Sequence, residues 1–443
     1  MRLNSDDPDF ASITFEQSLS WLFQRNQFAM KLGLENIRAL LRHCGSPDQG
    51  LRIIHVAGTN GKGSVCGNCA ALLRASGLQR VGLYTSPHLI SFRERIRVDG
   101  EPIPRSAVSG FLREYGAYCR DAGATYFEIA TAMALWHFKA MRCEAVVLET
   151  GLGGRLDATN AVLPEVTVIT PVAMDHMAQL GSTLPAIFAE KAAILKPGIP
   201  MVVAEQKAGL IDGLLAQAKA WNCPVFRAEN YPGKWDQDQW IWPGIHSEIR
   251  LPADLRPEHH QGENLVLACL ACEAFLRGPL PAGENLVPYL QKALPPGRTQ
   301  VLNLPGHAPL VLDGAHNSHG LLALVETLRL RFPGKARLFL FAMMADKPVD
   351  EALGLLGAEG EIRLLPLWET YPRAWKPASN PFGEPLPMQR EALLAALRTA
   401  GEHRVVIVCG SLYLLGEVMA LLAQDFEELA PLREFLPDLR PRP

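Results

Sequence analysis

Short apolar, β-branched runs recur along the chain, and each ends abruptly on small or polar residues. Leu51–Ala57 runs into Gly58, Thr59 and Asn60, Ala145–Leu148 into Glu149, Thr150 and Gly151, and Val166–Met174 into Asp175 and His176. In the second half Pro309–Leu312 runs into Asp313–Asn317, and Val405–Cys409 into Gly410 and Ser411. Helical periodicity follows most of them, over Cys66–Ala75, Leu184–Leu195, Leu321–Arg331 and Leu412–Ala423. Strands without polar alternation are buried on both faces, so this order predicts a parallel α/β architecture. Such sheets bind ligands at the carboxyl ends of their strands, where this chain concentrates its charged and small residues.

A Pro/Gly break at Leu294–Arg298 follows a helical stretch, Leu286–Leu294, and precedes a new strand. It predicts two domains, 1–296 and 297–443. Segment 226–262, rich in Trp, Pro, Asp and His with weak strand signals, reads as a small β excursion or a long loop. The proline-rich stretch Trp368–Met388 reads as a second loop, either ordered by contacts or mobile.

Composition narrows the functional classes. At 443 residues and 48% hydrophobic content the chain has material for two or three compact cores. A formal net charge of −3 lacks the basic excess of a general nucleic-acid or membrane-surface binder. The acidic start through Asp9 has no apolar centre for a secretory signal, and no apolar run is long enough to cross a bilayer, so a cytoplasmic protein is expected. Nine cysteines, several inside apolar runs (Cys143, Cys269, Cys409), fit reduced buried thiols better than a disulfide framework. Cys66/Cys69 and Cys269/Cys272 have a zinc-like spacing, but they fall in predicted helices among Ala, Leu and Val, which favours core packing.

The candidate chemistry sits on the strand ends. Gly58, Thr59, Asn60, Gly61, Lys62, Gly63 and Ser64 form a Gly-rich turn between a buried strand and a helix expected to begin near Ser64. Backbone N–H groups, a helix N-terminus and the Lys62 ammonium would converge there, as a triphosphate requires. Gly63 intervenes between Lys62 and Ser64, so the general G-x-x-x-x-G-K-[ST] pattern is not strictly met. Glu149, followed by Gly151, Gly153 and Gly154, suits Mg2+, which takes few oxygen ligands from protein and completes its octahedron with phosphate and water. His176 has the same placement and a neutral imidazole to offer. Asp313 and His316 repeat the arrangement in the second half, so the substrate is expected in a cleft between two domains.

At these residues the chain resembles the folylpolyglutamate synthase/dihydrofolate synthase family, a branch of the Mur ligase superfamily. The resemblance runs through His55–Val65, Thr85–Leu89, Phe92–Ile96, Thr125–Glu128, Leu148–Asn160, Asp175-His176 and Glu190-Lys191-Ala192, and on to His260–Asn264, Pro296-Gly297-Arg298, Asp313–Asn317, Asp346-Lys347 and Gly410-Ser411-Leu412. It implies a Mur-ligase-like P-loop ATPase domain with a parallel sheet and a smaller Rossmann-like α/β C-terminal domain. The implied reaction is an ATP-driven amide ligation, in which a pterin-bearing carboxylate is phosphorylated to an acyl phosphate and then attacked by the amine of L-glutamate. Dihydropteroate as acceptor gives dihydrofolate, and a reduced folate gives polyglutamate extension; the Leu156–Asn160 stretch leans toward both.

By the same resemblance Ser86 and Glu149 would hold one Mg2+, and Glu149, His176 and Lys191 a second, with K+ as an optional further ion. An ammonium has no lone pair, so the resemblance implies that Lys191 is carbamylated. Asn264, Arg298, Asp313 and His316 join the phosphate loop as nucleotide contacts, and Phe127, Asp157 and Ala158 are the folate-side candidates. Phe127 would stack on a pterin and Asp157 would accept from its N–H groups, although Phe127 equally fits plain core. Lys62, Lys191, His176 and Glu149 are the catalytic candidates, and a monomer is expected. Ala193 stands where the family commonly has Gly, and Val172-Ala173-Met174 replaces a glycine-containing run. The competing readings are a polyglutamate synthase alone, a Mur-type ligase acting on a non-folate carboxylate, and a nucleotide-binding switch without ligation.

Overall fold

The computed structural model describes residues 7–25, 33–207, 209–236, 239–252, 259–379 and 381–438. The acidic start before residue 7 and residues 253–258 of the 226–262 excursion lie outside the described residues. Two compact units emerge, Met1–His88 with Phe92–Leu294, and Leu89–Ser91 with Pro295–Pro443.

The first unit is built on eight strands. They are β1 (Ile53–Ala57), β2 (Val81–Tyr84), β3 (Ile96–Val98), β4 (Glu101–Pro102), β5 (Ala145–Glu149), β6 (Val166–Ile169), β7 (Met201–Val203) and β8 (Val225–Arg227). Their order is β4-β3-β2-β5-β1-β6-β7-β8, parallel from β2 to β8 with an antiparallel edge at β3 and β4. Every residue of β1, β5 and β6 is buried, which is why these strands read as near-continuous apolar runs, broken only by His55 and Thr167 and ended in β5 by Glu149. Strand β6 stops at Ile169, five residues short of the apolar run that predicted it. Pro171 has no N–H to continue the ladder, and its carbonyl turns instead to the loop after β1, accepting from the amides of Thr59 at 3.0 Å and Asn60 at 3.3 Å.

Helix Lys62–Ala75 follows β1 and begins two residues earlier than the sequence suggested. Helix His259–Leu276 packs along it, and the Cys272 thiol points at the Cys69 carbonyl 3.6 Å away. All four cysteines of the zinc-like pairs are therefore interhelical core. Burial pushes the Cys66, Cys269 and Cys272 thiols well up, away from the thiolate form a metal needs.

The 226–262 excursion contains an antiparallel sheet, β9 (Lys234–Asp236), β10 (Gln239–Pro243) and β11 (Glu248–Pro252). Its turn is held by Glu273 of the His259–Leu276 helix, fully buried, which accepts from the Ile245 amide, the His246 amide and the Ser247 hydroxyl at 2.5, 3.2 and 2.5 Å.

In the second unit the strands are β12 (Gln300–Leu302), β13 (Leu310–Leu312), β14 (Ala336–Phe341), β15 (Glu361–Leu364) and β16 (Arg404–Cys409). Their order is β12-β13-β16-β14-β15, parallel except for β12. Leu310, Leu338, Leu340, Val406 and Val408 enter one core, and Val311, Phe339, Phe341, Val405 and Ile407 another, so this sheet too is covered on both faces. The proline-rich loop is ordered by backbone pairing: the Trp375 amide donates to Met343, the Ala345 amide to Arg373 and the Leu386 amide to Leu364, at 2.8 to 3.0 Å. Among the described residues no helix is long and apolar enough to cross a membrane.

Replacing Glu273 by Leu leaves two amides and a hydroxyl without their acceptor. Urea unfolding should lose about 3 kcal/mol of stability; a midpoint equal to that of the parent would show that the β10–β11 turn is held by other contacts.

Candidate active site

Four neighbouring parallel strands, β2, β5, β1 and β6, bring the site candidates of the first unit to one sheet edge. Ser86 lies two residues after β2, Glu149 ends β5, the Gly58–Ser64 loop follows β1, and His176 comes seven residues after β6. The register pairs Val56 with Glu149 and Ala57 with Ile169, so the three central strands finish nearly level.

The loop after β1 divides its amides between two tasks. Those of Thr59 and Asn60 are spent on the Pro171 carbonyl, and the Thr59 hydroxyl both donates to the Ala173 carbonyl and accepts from its amide, each at 3.1 Å. The amides open to an anion are those of the helix's first turn, Lys62–Ser64, which helix geometry leaves without an intrahelical acceptor. Gly61 makes this turn possible: its φ of +87° is left-handed, and a Cβ there would collide with the Asn264 side chain. Asn264 is thereby seated against the loop beside Gly61. A phosphate chain fits this loop, because a bare glycine edge, a helix start and a lysine meet in one place.

Both lysine candidates turn toward Gly58. Lys62 donates from Nζ to the carbonyls of Gly58 and Thr59 at 3.2 and 3.1 Å. Lys191, on helix Leu184–Ala192 and only 4% exposed, donates to the same Gly58 carbonyl at 2.9 Å. Two ammonium groups thus converge on one carbonyl at the start of the loop. Glu149, 3% exposed, accepts from the Ser86 amide at 3.0 Å, which joins the ends of β2 and β5. His176 is partly exposed and holds a left-handed backbone at φ +49°, its amide donating to Asp175 at 2.8 Å. A buried carboxylate beside a phosphate cradle has the oxygen chemistry a hard cation takes.

The loop from Glu149 to Asn160 carries the folate-side candidates. Helix Tyr126–Ala140 starts with a capping box, in which Thr125 and Glu128 bond each other's backbone amides; this fixes Phe127 in its first turn. The Phe127 ring then lies against Gly151 so closely that a Cβ there would collide with it. Asp157 is buried, and its carboxylate takes the amides of Gly151 and Leu152 at 2.9 Å, the Thr159 amide at 3.0 Å and the Thr159 hydroxyl at 2.5 Å. Burial pushes this carboxyl up, while these hydrogen bonds pull it back. Four donors fill its lone pairs, so Asp157 shapes the loop rather than standing open as an acceptor. Ala158 is buried beside it.

The second unit holds its own strand-end cluster. Asp313, after β13, accepts from the amide and hydroxyl of Thr299 at 2.8 and 3.0 Å and from the Ala315 amide at 2.8 Å. This fastens the Pro296–Thr299 turn to the sheet and puts the Arg298 guanidinium against Gly314. His316 Nδ1 lies 2.8 Å from the Gly314 carbonyl.

Residues 297–412 match the Mur ligase, glutamate ligase domain family. The chain is 31% identical over 431 residues to the dihydrofolate synthase/folylpolyglutamate synthase of Bacillus subtilis, covering 91% of this chain and 98% of that protein. It is 32% identical to the folylpolyglutamate synthase of Lacticaseibacillus casei, covering 93% and 99%. The solved E. coli FolC in complex with DHPP and ADP superimposes with a TM-score of 0.83 at 30% identity, over 94% of this chain and 99% of that one. The chain belongs to the dihydrofolate synthase/folylpolyglutamate synthase family.

Beneath the candidate site, one buried polar pair escaped the sequence reading. His55, in the middle of β1 and wholly buried, lies with Nε2 2.8 Å from the Thr159 hydroxyl. A histidine inside an otherwise apolar strand was the available signal. Burial, reinforced by the Lys196 ammonium, holds the His55 imidazole down at about 3, so it is neutral.

The unfolded chain therefore binds a proton that the native protein refuses between about pH 6.5 and 3, and stability falls as pH drops through that window. Relative to a His55→Gln variant, the parent should lose about 3 kcal/mol between pH 7 and pH 4 by urea titration. Parallel curves would mean that His55 titrates normally in the fold.

Proposed function

We infer that this chain ligates L-glutamate to folates at the expense of ATP, making dihydrofolate from dihydropteroate and extending reduced folates with further glutamates. The observation that carries this reading is the row of strand ends β2-β5-β1-β6, with its phosphate cradle, its buried carboxylate and a glycine-lined aromatic seat side by side. ATP supplies the γ-phosphoryl group that turns the acid into an acyl phosphate, which the glutamate amine attacks with loss of phosphate.

The chain's own residues meet the two needs of that chemistry, charge neutralisation and close approach. Lys62 and the first-turn amides Lys62–Ser64 cradle the phosphates, with Asn264 at the rim. Arg298, Asp313 and His316 are the second unit's nucleotide-side residues, Asp313 acting by holding the Arg298 turn. Ser86 and Glu149 would hold one Mg2+, and Glu149, His176 and Lys191 a second. Phe127 and Ala158 offer apolar surface to the pterin, and Asp157 shapes the loop beneath it.

Carbamylation of Lys191 fits its surroundings: it is buried, shares the Gly58 carbonyl with Lys62, and would exchange one of two like charges for a carboxylate-like ligand. The nine cysteines are all buried and unbridged, which supports a reducing cytoplasmic setting, and we read the working form as a monomer.

The deciding assay compares dihydropteroate with a reduced folate at equal ATP and glutamate. Phosphate release dependent on both acid and glutamate is expected with each; activity with the reduced folate alone would restrict the chain to polyglutamate extension. Glu149→Gln should lower kcat by about 10^3-fold. Lys191→Ala should be similarly impaired and partly rescued by bicarbonate or short carboxylic acids, and full activity without additives would remove Lys191 from the site.

A further inference from the structure

The loop that carries Glu149, Asp157 and Ala158 is anchored from below by β1. Asp157 receives four donors, the arrangement an ionised carboxylate accepts, and an ionised carboxylate donates nothing. The single proton of the Thr159 hydroxyl must therefore lie on the 2.5 Å contact to Asp157 Oδ1. Its oxygen then accepts from His55 Nε2 at 2.8 Å, so the imidazole carries its proton on Nε2. The opposite nitrogen, Nδ1, is buried and has no partner among the described residues, as a bare acceptor nitrogen can be. Neutrality of the ring leaves room for only this one proton.

We propose that His55 and Thr159 are positioning residues for the acid substrate: the relay from His55 Nε2–H through the Thr159 hydroxyl orients the Asp157 carboxylate, which in turn holds the Gly151 and Leu152 amides beneath Phe127. Gly151 has no side chain and touches the Phe127 ring, so a rotation of Asp157 moves the seat that meets the pterin. The relay starts on the strand that also feeds the phosphate cradle, so the two substrate halves are referenced to one backbone. Neither residue touches the reacting atoms. This inference rests on the reading that Phe127 and Ala158 face the folate.

The test uses the full chain and dihydropteroate. Thr159→Val, which keeps the shape and removes the hydroxyl, should raise KM for dihydropteroate about tenfold or more, as loss of one hydrogen bond to a charged group does. KM for ATP should stay within twofold, and Thr159→Ser should restore the acid KM. His55→Gln, with an N–H at the same reach, should outperform His55→Leu. Equal rises in both KM values, or no change in either, would overturn the relay. Histidine-labelled 15N spectra of the parent read the tautomer directly, independently of turnover and of variant folding. An Nδ1–H signature for His55 would overturn the relay, whereas a parent that ignores dihydropteroate while showing Nε2–H overturns the substrate reading alone.

Discussion

Pairing of β1 with β5 on one side and β6 on the other is the constraint on which the first unit's site depends. Parallel strands in level register end together, and three consecutive ends here are a glycine turn, a glutamate and a proline. Each is needed in its place. Gly58 begins the turn into the cradle, Glu149 is buried where its charge must be answered, and Pro171 gives its carbonyl to the cradle's first amides. The phosphate loop is consequently shaped by its neighbours: the Pro171 carbonyl takes both the Thr59 and the Asn60 amides.

Charge follows from that geometry. A buried carboxylate and a buried ammonium on adjacent elements are costly unless each is answered. Lys191 meets the Gly58 carbonyl and Glu149 the Ser86 amide, so each buried charge is held by at least one backbone group.

The near-continuous apolar runs made the parallel architecture legible, because double-sided burial removes regular polar alternation from β1, β5 and β6. Glycine spacing marked the cradle for the same local reason, since Gly61 must take a left-handed φ. What stayed hidden depends on distant partners. The end of β6 is set by which carbonyl the loop after β1 requires, and an apolar run through Met174 carries no sign of it. The order in the proline-rich loop comes from pairing with Met343 and Leu364, whose carbonyls belong to or follow strands elsewhere in the chain. Asp157 looked like an open acceptor because its four donors come from backbone and hydroxyl groups that no residue pattern encodes.

The same reasoning explains why a polar triad can sit under this sheet without weakening it. His55, Thr159 and Asp157 are all buried, and a half-satisfied network in that position would be worse than an apolar core. Here the carboxylate is filled by amides and a hydroxyl of its own loop, and the imidazole gives up its charge, leaving Nδ1, the cheaper side of the ring to leave unpaired, without a partner among the described residues. On the proposed relay, the one polar side chain of β1, His55, acts on the geometry of the 149–160 loop more than on stability.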